Sequence, residues 1–390
     1  MPGPLDGLVV LDLSRALAGP HAAMMLGDLG ARVIKVEAPD GDDSRHWGPP
    51  FVGPEDGRES TYFLSCNRNK ESIALDLKSA ADSATLARLV RHADVLVENF
   101  RTGVLDRLGF PAERLHELNP RLVLLSITGF GHDGPEGGRP GYDQIAQGEA
   151  GLMSLTGPSP DQPMRVGVPV GDLLAGMYGA YGVLAALRER DRTGRGTVVR
   201  TSLLAAIVGV HAFQGTRYTV AGEVPVAQGN HHPSICPYGS FTCADGIIQI
   251  SVGSEALWRR FAPLAGVDPD HPRFARNPDR VQNRSELVGL LDAAFGKHPL
   301  ASWLPRLAEI GVPAGEVRTL DRVYEWEQTR SQHLLVDVSH SSLGTVTLPG
   351  PPLRFFDNRG TEVDLVHDAP PVLDEDGPAI RDWLDSVEEP

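Results

Sequence analysis

Cysteine is scarce. Cys66, Cys236 and Cys243 are the whole complement of 390 residues, an odd number and too few for a disulfide framework in a chain of this size, so all three read as reduced thiols. Cys236 and Cys243 stand near His231 and His232. However, HHxxxC with a second cysteine seven residues on is no standard ligand spacing, so this segment reads as a loop and no metal is expected. Positive charge is also short: 36 Lys and Arg against 51 Asp and Glu leave a formal net charge of −15. That field repels nucleic acid and anionic membrane surfaces, and an anionic ligand would need a local cluster of Arg and Lys. Long hydrophobic runs are missing as well. The longest uninterrupted small or apolar stretch, Leu173 to Leu187, reads as too short and too glycine-rich to span a bilayer, and the MPGPLDG start has neither the basic nor the apolar part of a secretory signal. A cytoplasmic protein with no nucleic acid or membrane partner is the expectation. Finally, no GxGxxG follows any strand-like run. Gly19 before a helix, with Glu37 eighteen positions later, imitates a dinucleotide site only faintly.

What is present is an ordinary globular balance, 41% hydrophobic and 22% charged residues, over a length that exceeds one usual core and predicts two domains. Leu8 to Leu13 (LVVLDL) reads as a buried strand, SRALAGP as a turn, HAAMMLGDLGA as a helix and RVIKVEAP as a second strand. The alternation continues with a helix over Ala80 to His92, a strand DVLVENF, a helix over Val104 to Leu118 and a strand from Leu122 to Phe130. Val-, Leu- and Ile-rich strands alternating with helices predict a parallel sheet covered on both faces, an α/β Rossmann-like domain, with function at the carboxyl ends of the strands. The loops leaving those ends are SRALAGP, EAPDGDDSRHW and NFRTGVLDR.

Loop-like sequence from Gly131 to Pro163 encloses a helical stretch, Gln144 to Ser154, and TVVRTSLLAAIVGVHAF begins a further strand and buried helix. Beyond Ala221 the pattern changes: YGSFTCADGIIQISVG predicts a hairpin turning at Ala244–Asp245–Gly246, followed by helices over Ser254 to Leu264, Asn283 to Phe295 and Leu300 to Ile310. The expected organisation is a large domain over 1–205, a smaller α+β domain over 225–325, and a C-terminal segment, 330–390, that returns to the large domain.

Within VGVPVGDLLAGMYGAYGVLAAL, Val166 to Leu187, one acid, Asp172, stands at the mouth of a small and apolar helix. An Asp there either caps the free N–H groups of the first turn or serves as a buried reactive carboxylate, and the two roles are compatible. Gly167 and Gly171 beside it read as a tight turn or as room for a substrate against the backbone.

LDLSRALAGP, RVIKVEAPDGDDSRHW, CNRNKESIALDLK, ADVLVENFRTGVLDRLG, GYDQIAQGEAGLMSLTG, VGDLLAGMYG and GRGTVVRTSLL occur in this order, with GNHHPSICPYGSFTCADG further on. Together they resemble the class III CoA-transferase family, which includes formyl-CoA transferase, carnitine CoA-transferase and α-methylacyl-CoA racemase. The resemblance implies an interlocked homodimer, each chain with a large Rossmann-like and a small domain and CoA held between them. It also implies a CoA-transferase in which the nucleophilic aspartate falls on Asp172 and the intermediates are an aspartyl mixed anhydride and an aspartyl-CoA thioester. Substrates would be an acyl-CoA and a free carboxylic acid, with no permanently bound cofactor. By the same resemblance Leu17 and Ala18 line the nucleotide end, Leu75, Asp76, Leu77 and Lys78 contact the adenine region, Asn99, Phe100 and Arg101 border the pantetheine, Arg107 meets phosphate, and Tyr142 and Asp143 face CoA or substrate.

Two departures stand out. Formyl-CoA transferase has glutamine and arginine where this chain has Leu17 and Ala38, leaving Arg15, Arg45 or Arg68 to replace the missing phosphate ligand. Its long glycine-rich loop also has no counterpart, since GNHHPSICPYG is shorter; both differences point away from oxalate and formate. The acyl group would be read in loops such as Asn230 to Tyr238, where His231 and His232 either pair with a carboxylate or face solvent. A racemase remains the alternative within the family, but its G-H-D motif is Gly141–Tyr142–Asp143 here, and tyrosine is a poor base at neutral pH. A non-catalytic acyl-CoA binder is the alternative outside it, and has no need of an acid at Asp172.

Overall fold

The computed structural model describes residues 3–388. The chain forms two compact units, one of Met1–Leu152, Val166–Gly222 and Glu327–Pro390, the other of Met153–Arg165 and Glu223–Trp326. Residues 153–165, which fall inside the expected 1–205 domain, therefore belong to the smaller unit. Met164 N–H closes this loop on the Thr156 carbonyl at 2.8 Å, and the Gly157 carbonyl accepts from Gly229 N–H at 2.9 Å.

In the larger unit six strands, β1 (Val9–Asp12), β2 (Arg32–Glu37), β3 (Lys70–Ala74), β4 (Val95–Glu98), β5 (Val123–Thr128) and β6 (Val198–Ser202), form one parallel sheet in the order β3-β2-β1-β4-β5-β6. The inner strands read as nearly unbroken apolar runs because helices cover both faces. Alternate residues feed two cores. Val10, Val33, Val97 and Leu125 pack with the Ala18–Asp28 and Val170–Thr193 helices on one face, while Leu11, Ile34, Leu96 and Leu124 pack with Leu86 and Leu89 on the other. Strand order reverses between β1 and β4, and a crevice at the carboxyl ends of those two strands is where such sheets bind ligands.

Four local features differ from the expectation. The single helix over 104–118 is two, Val104–Arg107 and Ala112–Leu118, because Gly109 turns left-handed (φ +90) and Pro111 caps the second. The stretch at Gln144 to Ser154 is likewise Asp143–Glu149 and Leu152–Leu155. β3 had no place in the strand and helix pattern, and the tail ends in a helix, Gly377–Glu388, whose Ile380 and Leu384 are fully buried in the second core. The Val170–Thr193 helix, at 24 residues, is long and apolar enough by length and composition to cross a bilayer. Here it is a core helix. A Cβ on Gly176 would lie 2.6 Å from the Ala18 carbonyl oxygen, so glycine sets its close approach to the Ala18–Asp28 helix.

The smaller unit has a three-stranded antiparallel sheet of Tyr238–Thr242, Ile247–Ser251 and Ala314–Glu316. The expected hairpin is there, with Thr242 paired to Ile247. Helices Glu255–Leu264, Arg284–Phe295 and Leu300–Glu309 cover it around Trp258, Phe261, Phe295 and Trp303.

Beneath the turn that follows β1 lies a lattice of buried charges. Lys35, fully buried in the middle of β2, donates to Asp42 Oδ2 at 2.9 Å and to the Ser14 carbonyl at 3.0 Å, and its Nζ is 3.9 Å from Asp12 Oδ2. Lys70 donates to Asp12 Oδ2 at 2.8 Å, to Asn67 Oδ1 at 2.8 Å and to the Pro20 carbonyl at 2.9 Å. Asp42 in turn accepts from Ala16 N–H at 3.1 Å. Burial alone would discharge Lys35, but Asp12 and Asp42 outweigh it and raise its pKa. Ser14 to Ala16 are therefore held from below by ionic bonds, with Ala16 left-handed (φ 64).

Removing one partner of a buried pair leaves its counter-charge desolvated and alone. Lys35→Met is expected to destabilise the fold by about 3–5 kcal/mol in denaturant unfolding; a loss below about 1 kcal/mol would show that the lattice is not what holds this turn.

Candidate functional site

Asp172 occupies the third position of the Val170–Thr193 helix, whose N-cap is Pro169. It is not the cap. That work falls to Asp143, the first residue of the Asp143–Glu149 helix: its Oδ1 accepts from Gly171 N–H at 2.7 Å, and its Oδ2 accepts from Gln147 Nε2 at 2.6 Å. Gln147, fully buried, uses its own Oε1 to accept from Val166 N–H at 2.8 Å. One carboxylate and one amide thus bind both ends of the segment leading to Asp172. Gly171 is also explained differently from the expectation. A Cβ there would meet Asp143 Oδ1 and Ile207 Cδ1, each at 3.0 Å, so the missing side chain makes room for Asp143; beside Gly167 lies open space.

The Asp172 carboxyl itself makes no hydrogen bond among the described residues. Burial first, and then the Asp143 charge, push its pKa up to about 7. Leu173 packs with Leu17, Met24, Cys66 and Tyr62. The Tyr62 ring meets Trp47 edge-on at 4.9 Å, and burial together with the Asp172 charge raises its hydroxyl's pKa. Neither Tyr62 nor Trp47 was marked by the sequence. The signal available was an aromatic pair in the CNRNK and SRHW motif neighbourhoods, with no spacing rule to join them.

The other expected residues cluster at the carboxyl ends of the sheet. Leu17, Ala18 and Leu75 are core side chains, 5%, 3% and 2% exposed, so a ligand would meet them only through the main chain. Leu77 is half-buried and Asp76, Lys78, Arg101, Arg107 and Tyr142 are exposed. Asn99 bridges the switch point, accepting from Arg15 N–H at 2.8 Å and donating to the Arg15 carbonyl at 2.7 Å. The Arg15 guanidinium lies 5.7 Å from the centre of the Phe100 ring. Of the three candidate replacements for the missing arginine, two are committed elsewhere. Arg45 grips Glu37 with two bonds of 2.7 Å. Arg68 grips Asp28 at 2.7 and 2.5 Å and the Pro349 carbonyl at 2.9 Å. Arg15, Lys78, Arg101 and Arg107 enter no ion pair among the described residues, so an acidic protein presents four uncommitted cations along one rim.

Cys236 and Cys243 are buried in the smaller unit, and among the described residues no group of three or more His, Cys, Asp or Glu is placed to hold a metal. His231 packs edge-on to Phe241 and His232 stacks on Tyr238, while Arg284 donates to the His232 and Pro233 carbonyls, both at 2.8 Å.

Residues 5–377 match the family model of CoA-transferase family III. The chain belongs to this family. It is 38% identical to the mouse succinyl-CoA:glutarate CoA-transferase, covering 95% of this chain and 84% of that protein, and 40% identical to a succinate–glutarate CoA-transferase of Agrobacterium fabrum over 89% and 88%. It is also 38% identical to an acetyl-CoA:oxalate CoA-transferase of Acetobacter aceti over 97% and 95%. The fold is that of the crystal structure of a CAIB/BAIF family protein from Brucella suis, with TM-score 0.88 and 39% identity over 99% of this chain and 100% of that one. The protein is a family III CoA-transferase, with CoA thioesters as its substrates.

Because the Asp172 carboxyl titrates near 7 when folded and near its ordinary 3.8 when unfolded, the folded state binds the extra proton between those values, and this group makes stability fall as pH rises through that window. Asp172→Asn should remove that slope. Direct ¹³C NMR titration should place the Asp172 midpoint near 7, and Asp143→Asn should move it down without restoring 3.8, since burial is the larger cause. A native midpoint close to 4 would refute this electrostatic reading.

Proposed function

We propose that Asp172 is the nucleophile of a CoA transfer between carboxylic acids. Its carboxylate attacks the donor thioester carbonyl and CoA leaves as thiolate, giving a mixed anhydride. The thiolate then attacks the aspartyl carbonyl and expels the donor acid, giving an aspartyl-CoA thioester. The acceptor carboxylate attacks that thioester, releasing CoA thiolate and forming a second anhydride, and the thiolate attacks the acceptor's acyl carbon to release the new CoA ester and regenerate Asp172. No step consumes water or a proton, and each intermediate keeps the activation energy of the thioester. The observation that carries this reading is a partly buried carboxyl, free of hydrogen bonds, beside a second acid that raises its pKa. A carboxylate stripped of donors and raised in basicity is a better nucleophile than one satisfied by a cap.

The CoA phosphates are assigned to Arg15, Arg101 and Arg107 at the β1/β4 switch point together with Lys78 beyond the end of β3, with Arg15 in the role of the missing arginine. The acids are assigned to the short dicarboxylates. The relatives are named for succinate, glutarate and oxalate, and oxalate stays in this set against the expectation from Leu17 and the short loop, because the Acetobacter relative is named for it. We also assign a homodimer to the protein, supported by an apolar outer face on the Val170–Thr193 helix, where Met177, Tyr178, Tyr181 and Leu184 are exposed.

Asp172→Ala and Asp172→Asn should abolish exchange of label between a dicarboxylic acid and its CoA ester while leaving the fold intact. Intact-mass analysis of the native protein during turnover should show a hydroxylamine-sensitive adduct on Asp172. Exchange surviving either substitution would refute the assignment. Arg15→Ala and Arg107→Ala should each raise the KM for the CoA ester roughly tenfold with kcat little changed, because phosphate contacts serve ground and transition states alike; unchanged KM would remove that residue from the phosphate site.

A further inference from the structure

On the sheet face opposite Asp12 and Lys35, three polar residues lie in register across neighbouring strands: Glu98 of β4, Ser126 of β5 and Arg200 of β6. Glu98 is 6% exposed. Its Oε2 accepts from Phe100 N–H at 2.8 Å, and its Oε1 accepts a short hydrogen bond from the Ser126 hydroxyl. Ser126 Oγ is also 2.7 Å from His132 Nε2. With the Ser126 hydroxyl donating to the Glu98 carboxylate, the chain is completed when His132 carries a proton on Nε2 and donates it to Ser126. Every donor in the chain then points one way, from His132 through Ser126 to the Glu98 carboxylate, which Phe100 N–H meets from the other side. Arg200 faces both ends of the chain, with Asp106 beside Glu98 and Asp133 beside His132. Burial first, and then Arg200, lower the His132 pKa against the opposing Asp133 charge, and burial raises that of Glu98.

What the chain connects gives it a purpose. Phe100 N–H belongs to the Asn99–Arg101 turn, one wall of the CoA crevice. His132 belongs to the loop from 129 to 141 that ends in Tyr142 and Asp143. A second bond, Thr102 Oγ1 to the Gly137 carbonyl at 2.9 Å, joins the same two segments. At the base of the loop the Gly129 and Gly141 backbones approach so closely that a Cβ on Gly129 would lie 2.7 Å from Gly141 Cα. The loop is thus tied to the turn at two points and closed on itself at its root.

We propose that His132 is a positioning residue for CoA. Acting through Ser126 and Glu98, it fixes the Asn99–Arg101 turn in its CoA-binding geometry and couples that turn to the loop that delivers Asp143. The inference rests on the proposed placement of CoA at the β1/β4 crevice, but not on Asp172 chemistry. A polarised hydrogen-bond chain strengthens each of its members, and removing one member releases the rest.

The test uses the full-length protein and coenzyme A itself. Titration calorimetry of CoA with His132→Ala should show affinity about three- to tenfold weaker than native, the value of one neutral hydrogen bond. KM for the CoA ester should rise by the same factor, and kcat at saturation should be unchanged. His132→Gln, whose amide N–H can replace Nε2–H, should recover most of the loss. Ser126→Ala should weaken CoA binding similarly, and the double variant should be no worse than the single ones, because both cut one chain. CoA affinity unchanged in His132→Ala, no recovery in His132→Gln, or additive losses in the double variant would each overturn the proposal. Because calorimetry reads binding alone, native protein that binds CoA without exchanging acids would defeat the transfer mechanism and leave this inference standing.

Discussion

One hydrogen bond organises the surroundings of Asp172: Asp143 Oδ1 accepting from the backbone N–H of Gly171. It satisfies the start of the long core helix with a carboxylate from another helix, so the acid inside that first turn is left with no donor. It also brings a second negative charge toward Asp172, and the same geometry that leaves this carboxyl without a donor makes it more basic. Were Asp172 its own cap, the donors of the first turn would stabilise its anion and lower its reactivity. The absence of a Cβ at Gly171 is what allows the two helices to share this contact.

The carboxyl-end edge of the sheet depends on a different economy of charge. The chain buries Asp12, Lys35, Asp42 and Lys70 against one another under the β1 turn and pairs Arg45 with Glu37 and Arg68 with Asp28. These cations are consumed in holding loops in place. Among the cations outside these pairs, Arg15, Lys78, Arg101 and Arg107 follow the carboxyl ends of β1, β3 and β4, where an anionic ligand of a doubly wound sheet belongs. Part of the positive charge is thus buried in a scaffold and part is exposed at those strand ends.

The two carboxylates of the switch region, Glu98 and Asp143, follow a common design. Each accepts a backbone N–H from a functional segment, Phe100 or Gly171, and each is held by a neighbouring side chain, Ser126 or Gln147. The loop from 129 to 141 links the two, so the Asn99–Arg101 turn and the start of the Val170–Thr193 helix share one support.

The alternation of apolar strands with helices was legible in the chain itself, because a strand buried on both faces has to be written in Val, Leu and Ile. The motif order sufficed for the family, and Asp172 was marked by being the one acid at the mouth of an apolar helix. Charged residues inside those strands, Lys35 in RVIKVE and Asp12 in LVVLDL, were a visible anomaly whose partners lay in other segments, as far away as Lys70, 58 residues from Asp12. Which arginine remained free, which acid did the capping, and that Tyr62, with Trp47 against its ring, feels the Asp172 charge were decided only by the tertiary structure. Periodicity records which side of an element is buried, whereas hydrogen bonds and ion pairs join residues by distance in space, and only the folded chain sets those distances.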